Sequence, residues 1–132
     1  MARRLINPPG TEKTYQRWQY SQAVRVGDTI WVSGQVGMGE RGPAEGIEAQ
    51  TRLALESLRR VLEEAGATMG DVVELVSYHT NMADMAGFSK VKAEFFSSHY
   101  PAWTAVGVQA LAVPGILLEV RATAVAGSQA VG

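Results

Sequence analysis

The chain has 132 residues, 46% hydrophobic and 19% charged, with a formal net charge of -1, the profile of an ordinary globular protein long enough to bury a core. That near-neutral balance leaves no electrostatic reason to expect a nucleic-acid duplex or an anionic membrane as partner. It contains no cysteine, which removes disulfides, thiolate nucleophiles and thiolate metal sites. The N-terminal MARRLINPPG has no apolar stretch of signal-peptide length behind its arginines, and no later run approaches a membrane span. We therefore expect a single domain over residues 1–132, in the cytoplasm.

Residues 1–19, with Pro8, Pro9 and Gly10, read as an irregular or edge segment. YSQAVRV and TIWVSGQV, between Tyr20 and Val36, flank Gly27-Asp28 and predict a β-hairpin. The glycine-rich stretch 38–46 predicts a surface loop. It has neither the lysine-serine ending of a phosphate loop nor the spacing of a dinucleotide fingerprint.

From Ile47 to Ala65 the apolar residues Ala54, Leu58, Val61, Leu62 and Ala65 recur at helical spacing, and Gly66 is placed to end the helix. Glu48 with Arg52 and Glu56 with Arg60 are four-residue pairs suited to its solvated face. DVVELVSYHT, Asp71 to Thr80, is β-branched enough for a strand. Asp84 can cap a second helix carrying Phe88, Val91 and Phe95 on one face, until Tyr100-Pro101 stops it. Two apolar runs between Pro101 and Val125, broken at Pro114-Gly115, predict a closing hairpin.

The order ββαβαββ describes an α+β fold with a mixed sheet and two helices on one face. In the last strand Ile116, Leu118, Val120, Ala122 and Ala124 suit the helix side, leaving Leu117, Glu119, Arg121 and Thr123 on the other. Several strands are apolar on both parities, so the uncovered face calls for a partner. A closed homo-oligomer is the usual solution, with any site built where subunits meet.

Histidine is present only as His79 and His99, and no ligand spacing such as His-Glu-x-x-His occurs, so we expect no metal site. The two histidines suit a strand face and a helix end. Ser33, in WVSGQ, is not in a nucleophile elbow and reads by itself as a plain strand serine.

YSQAV at 20–24, VSGQV at 32–36, LEEAG at 62–66, Phe88 with Val91 and Phe95-Phe96, Pro101-Ala102, and LLEVRATA at 117–124 together resemble the reactive intermediate deaminase (Rid, once YjgF) family over nearly the whole chain. The resemblance implies a chorismate-mutase-like fold, a homotrimer whose sheets form a central barrel, and small-molecule clefts between subunits. It also implies hydrolysis of imines or enamines to a carbonyl compound and ammonia without a cofactor. By position, Glu119 matches the family's acid that handles water, Tyr20 its cleft tyrosine and Ser33 the serine of its second strand. Thr104, Ala105 and Lys92 fall at further cleft positions, Ala105 where many members have cysteine and Lys92 near a frequent asparagine.

Trp103, in Pro101-Ala102-Trp103-Thr104, departs from the pattern, because members acting on amino-acid-derived imines have arginine there. A guanidinium holds a carboxylate through two parallel hydrogen bonds, which an indole cannot copy. The usual 2-imino acid substrate is thus not expected, unless Arg17, Arg25, Arg121 or Lys92 supplies the cation. Glu119 could alternatively be a structural glutamate paired with Arg121 or with a neighbouring subunit, Trp103 could pack in an interface, and Tyr20 could be a strand-end residue bonded to backbone. The competing functional reading is a non-catalytic trimer that binds a small molecule or a protein in the same clefts. A nuclease role ranks behind both, for want of a basic stripe or a catalytic histidine pair.

Overall fold

The computed structural model describes residues 1–130. In chain order the elements are β1 (Arg3–Ile6), α1 (Glu12–Trp18), β2 (Ala23–Val26), β3 (Thr29–Val36), β4 (Met38–Gly39), β5 (Gly42–Pro43), α2 (Ile47–Glu64), β6 (Val72–His79), α3 (Met85–Phe95), β7 (Ala102–Gly107) and β8 (Leu118–Val125). A six-stranded sheet has the order β1-β2-β3-β8-β6-β7, with β7 parallel to β6 and every other pair antiparallel. The first hairpin forms as expected. Val26 pairs with Thr29 across Gly27-Asp28, and Gly27 takes a positive φ of 58° that a side chain would resist.

Helix α2 buries Ala54, Leu55, Leu58, Val61 and Leu62, the stripe read from its spacing. It ends in a Schellman turn: Ala67 N–H reaches the carbonyl of Leu62, Gly66 N–H reaches Glu63, and Gly66 sits at φ +88°. Both α2 and α3 contribute to one core with the sheet, where Leu55, Leu58 and Phe88 meet Ile30, Leu75, Leu118, Val120, Ala122 and Ala124. Along β8 burial alternates as predicted. Leu118, Val120, Ala122 and Ala124 are buried, whereas Glu119, Arg121 and Thr123 face away from the helices.

Several expectations need correction. Residues 1–19 hold an edge strand and a short helix, α1, closed by Gln19 in the left-handed region and started by hydrogen bonds from Gly10 N–H to the Glu12 carboxylate. Short amphipathic turns among polar residues leave little periodic signal. The 38–46 stretch folds back on itself as the two-stranded ribbon β4-β5. The charges of α2 do not pair along it: Arg52 bonds Glu94 of α3 at 2.8 Å, Lys90 of α3 approaches Glu48 at 3.4 Å, and Arg60 donates to the backbone carbonyl of Pro9 before α1. Asp84 makes no side-chain cap. Asn81 instead caps the turn before α3, accepting from Ala83 N–H at 2.9 Å, and α3 ends at Phe95, short of Tyr100-Pro101.

The largest correction concerns 101–125. β7 and β8 do not pair, because β6 lies between them. Val108 N–H bonds the carbonyl of His79 and Thr80 N–H bonds that of Leu117, so both ends of the β7–β8 connection are tied to the end of β6. Pro114-Gly115 does make a turn, with Ile116 N–H bonded to Val113 and Gly115 at φ +91°. It belongs to a connection that passes over the end of a strand.

Candidate functional site

Glu119 emerges on the helix-free side of the sheet's centre, between Val36 on β3 and Tyr78 on β6. β3 slips register between Val32 and Gln35, a bulge that places Gly34 beneath the Glu119 side chain. A Cβ built on Gly34 would lie 2.5 Å from the Glu119 carboxyl carbon. The glycine of VSGQV therefore makes the room that the carboxylate occupies.

This carboxylate borders a cavity of about 420 Å³. Trp18 and Tyr20 reach it from the end of α1 and the segment beyond, Gly34 and Val36 from β3, and residues 111–113 with Ile116 from the β7–β8 connection. Glu119 is the one charged residue in that lining, and Tyr20 supplies a hydroxyl. Burial pushes the Glu119 carboxyl above the usual carboxylate range. Arg121 donates its Nε–H to the Tyr78 hydroxyl at 3.1 Å, and neither it nor any other described residue pairs with Glu119. The alternative of a Glu119–Arg121 pair within the chain is thus set aside.

Ser33 lies in the same bulge, but its hydroxyl donates to the carbonyl of Ser21 at 2.7 Å and its N–H to Gln22. It fastens the segment that carries Tyr20 and does not line the cavity. The Tyr20 side chain has no hydrogen-bond partner among the described residues, so the backbone-bonded strand-end reading does not describe it.

Trp103 and Lys92 are gathered elsewhere. Trp103 pairs in register with Leu75, and Leu75 with Ala122 of the core face, so Trp103 stands on the side of the sheet opposite Glu119. Its indole N–H donates to Ser77 Oγ at 2.9 Å, its ring lies 5.8 Å from that of Phe88, and Lys92 Nζ sits 4.3 Å from its centroid. Trp103 has spent its only donor inside the protein, and an ammonium occupies its π-face. Burial lowers the Lys92 pKa. Ser77 also bonds His79 Nε2 at 2.8 Å, and His79, fully buried, sits edge-on to Phe88. It is the strand-face histidine expected, while His99 lies just after α3 beside Ser98. Ala105 is beside Ser77, and Thr104 alternates to the face of Val76 and Arg121.

Of the other cations considered as arginine substitutes, Arg25 is committed to the carbonyls of Gly27 and Ala65 and to Asp28. Arg17 stacks on Trp18 with its guanidinium carbon 5.3 Å from the ring centroid. Within one chain the structure brings together Tyr20 and Glu119, and separately Lys92 and Trp103, with the sheet between the two pairs. Sequence reasoning missed Trp18, Gly34 and the 111–113 wall. The bulge glycine in VSGQV was the signal available for Gly34, and nothing in the periodicity pointed to Trp18.

A family model described as Endoribonuclease L-PSP matches residues 11–126. The RutC family protein YjgH of Escherichia coli K12 is 40% identical over 125 residues, covering 92% of this chain and 94% of that protein. The chain belongs to the Rid/YjgF family. A protein of Dermatophagoides farinae named 2-iminobutanoate/2-iminopropanoate deaminase is also 40% identical, over 98 residues, with 70% of this chain and 74% of that one covered. The solved structure of protein YJGH superposes with a TM-score of 0.85 at 39% identity, covering 98% of this chain and 100% of that one. The Rid/YjgF fold is the chorismate-mutase-like α+β arrangement that the family resemblance implied, and the chain carries β1 and α1 ahead of the ββαβαββ order read from the sequence.

Proposed function

We propose that this Rid/YjgF protein is a cytoplasmic, cofactor-free hydrolase of imines, enamines or related small C–N compounds, and that Glu119 is its catalytic acid and base. The observation that carries the reading is a half-buried carboxylate without a partner, held over Gly34 and bordering an otherwise apolar cavity. Imine hydrolysis needs a water directed at the electrophilic carbon and a proton for the departing nitrogen. Ionised Glu119 accepts a proton as the water oxygen bonds to carbon and the C=N π-pair moves to nitrogen. The carboxyl group then returns that proton to nitrogen, giving a carbinolamine. The hydroxyl proton next passes through the carboxylate to nitrogen as an oxygen lone pair closes the C=O bond, and the C–N bonding pair leaves with nitrogen. A carbonyl compound and ammonia depart, and Glu119 is again ionised. Burial raises the pKa of this carboxyl, which makes its ionised form a stronger base toward the water than an ordinary carboxylate. The name of the Dermatophagoides farinae relative supports imine deamination.

The missing arginine argues against the 2-imino acid substrates that name denotes. No lysine or arginine lines the cavity among the described residues, and Trp103 is turned to Ser77 and Lys92. The helix-free face, where Leu5 and Trp31 are exposed on either side of Val24, supports a homotrimer in which these side chains are covered and the clefts are completed between subunits. Ammonia release from freshly generated imines, compared between the wild type and Glu119→Gln at unchanged oligomeric state, tests the assignment. Equal release by the two proteins removes Glu119 from the mechanism.

A further inference from the structure

We propose that Trp18 is a specificity-determining residue of the Glu119 cavity, selecting imines that carry a planar aromatic or bulky apolar group and react as the cationic iminium. This inference rests on the hydrolase reading for its chemistry, and its binding claim rests on the part of the cleft that one chain supplies.

Trp18 closes α1, the short helix that hydrogen bonds from Gly10 to Glu12 and the left-handed turn at Gln19 hold in place. The residue is 66% exposed, so its indole is open to a ligand. Arg17 lies over its ring and steadies it. The same indole lines the cavity together with Leu111, Val113 and Ile116. This space of about 420 Å³ is large enough for a ring-sized substituent.

Charge sets the rest of the preference. The lining carries one carboxylate and no cation among the described residues. A ligand with a positive, planar C–N head and an apolar body matches it at both ends: the head meets Glu119 and the body meets Trp18. A ligand with a carboxylate in place of that head would bring like charge against Glu119 in a partly dry site, which is costly.

Benzamidinium supplies this shape as a stable probe, since its cationic C–N group cannot turn over as an imine does. Benzoate is the matched anion. Calorimetric titration of the whole protein should show benzamidinium binding and no benzoate binding. Trp18→Ala should weaken benzamidinium by at least about tenfold, while Trp18→Phe, which keeps an aromatic wall, should stay within about threefold of the wild type. Benzoate binding as tightly as benzamidinium, or an unchanged affinity in Trp18→Ala, overturns the proposal. Benzamidinium binding that depends on Trp18, in a protein that releases no ammonia from any imine, upholds the cavity assignment and removes the hydrolase reading. Turnover of small imines with no benzamidinium binding does the reverse.

Discussion

Gly34 and Glu119 are packed so closely that a methyl group on residue 34 would stand 2.5 Å from both the Cδ and the Oε2 of the glutamate. The backbone at Gly34 is not in the left-handed region, so the requirement for glycine is one of space alone. The atoms in the way belong to the far end of a flexible side chain. Gly34→Ala should therefore displace the carboxylate while costing about 1 kcal/mol of stability or less. A misplaced catalytic group loses on the order of a hundredfold in rate. Steady-state ammonia release beside a urea titration separates the two effects, and an alanine variant with full activity would show that the position of Glu119 is unimportant.

Gln50 supports the same site from inside. Buried in α2, it donates to the carbonyls of Ala44 and Gly115, both at 2.9 Å, and accepts from Leu117 N–H at 2.8 Å. One side chain thereby fixes the path that delivers Ile116 to the cavity and Glu119 to β8. Gln50→Leu keeps the volume and strands those backbone groups, so we expect a loss of about 2–4 kcal/mol, read from the urea midpoint. A stability within 0.5 kcal/mol of wild type, about the scatter of neutral surface changes, would contradict this role.

Trp103 and Lys92 should behave as a pair. Restoring arginine by Trp103→Arg places a guanidinium where Lys92 Nζ now sits over the indole, and it also removes the bond to Ser77. Like charges at such range cost on the order of 1 kcal/mol or more. The single variant should be destabilised, and Lys92→Asn should recover about 1 kcal/mol of that in the double variant. A double-mutant cycle measures the coupling. Additive effects would mean that the two side chains do not share this site.

The raised pKa of Glu119 has a defined pH signature. The folded state holds this proton more tightly than the unfolded chain does, so the group's contribution is full below its unfolded pKa, about 4, and is lost as pH rises through the folded value. Glu119→Gln removes that loss. Relative to wild type the variant should gain stability between pH 4 and pH 8, and guanidinium titrations at the two values should show the gap opening upward. A gap that opens in the other direction would mean that an unseen partner stabilises the carboxylate.

Much of this was legible in the residues. The Gly27-Asp28 turn, the stripe of α2 and the alternation along β8 are local or periodic features, and the last two were read with the face they bury. Long-range pairing was not. β7 is apolar on both parities, and the alternation of β8 defines its faces but not its neighbours, so nothing in 101–125 distinguishes strands that pair directly from strands with β6 between them. The single acid in that stretch could be flagged as costly, but its setting over Gly34 depends on a bulge whose register only the folded sheet defines. Trp103 and Glu119 sit close together in sequence and on opposite sides of the sheet. No local pattern carries that separation.

The account turns on whether the unpaired carboxylate performs chemistry. Freshly generated imines with and without an α-carboxylate should be offered to the wild type and to Glu119→Gln, with ammonia followed directly and the oligomeric state checked in parallel. We expect the wild type to release ammonia, with a preference for imines lacking the carboxylate, and the variant to lose at least about a hundredfold of that rate with its assembly intact. Saturable binding without release by the wild type, or equal release by both proteins, would contradict the account.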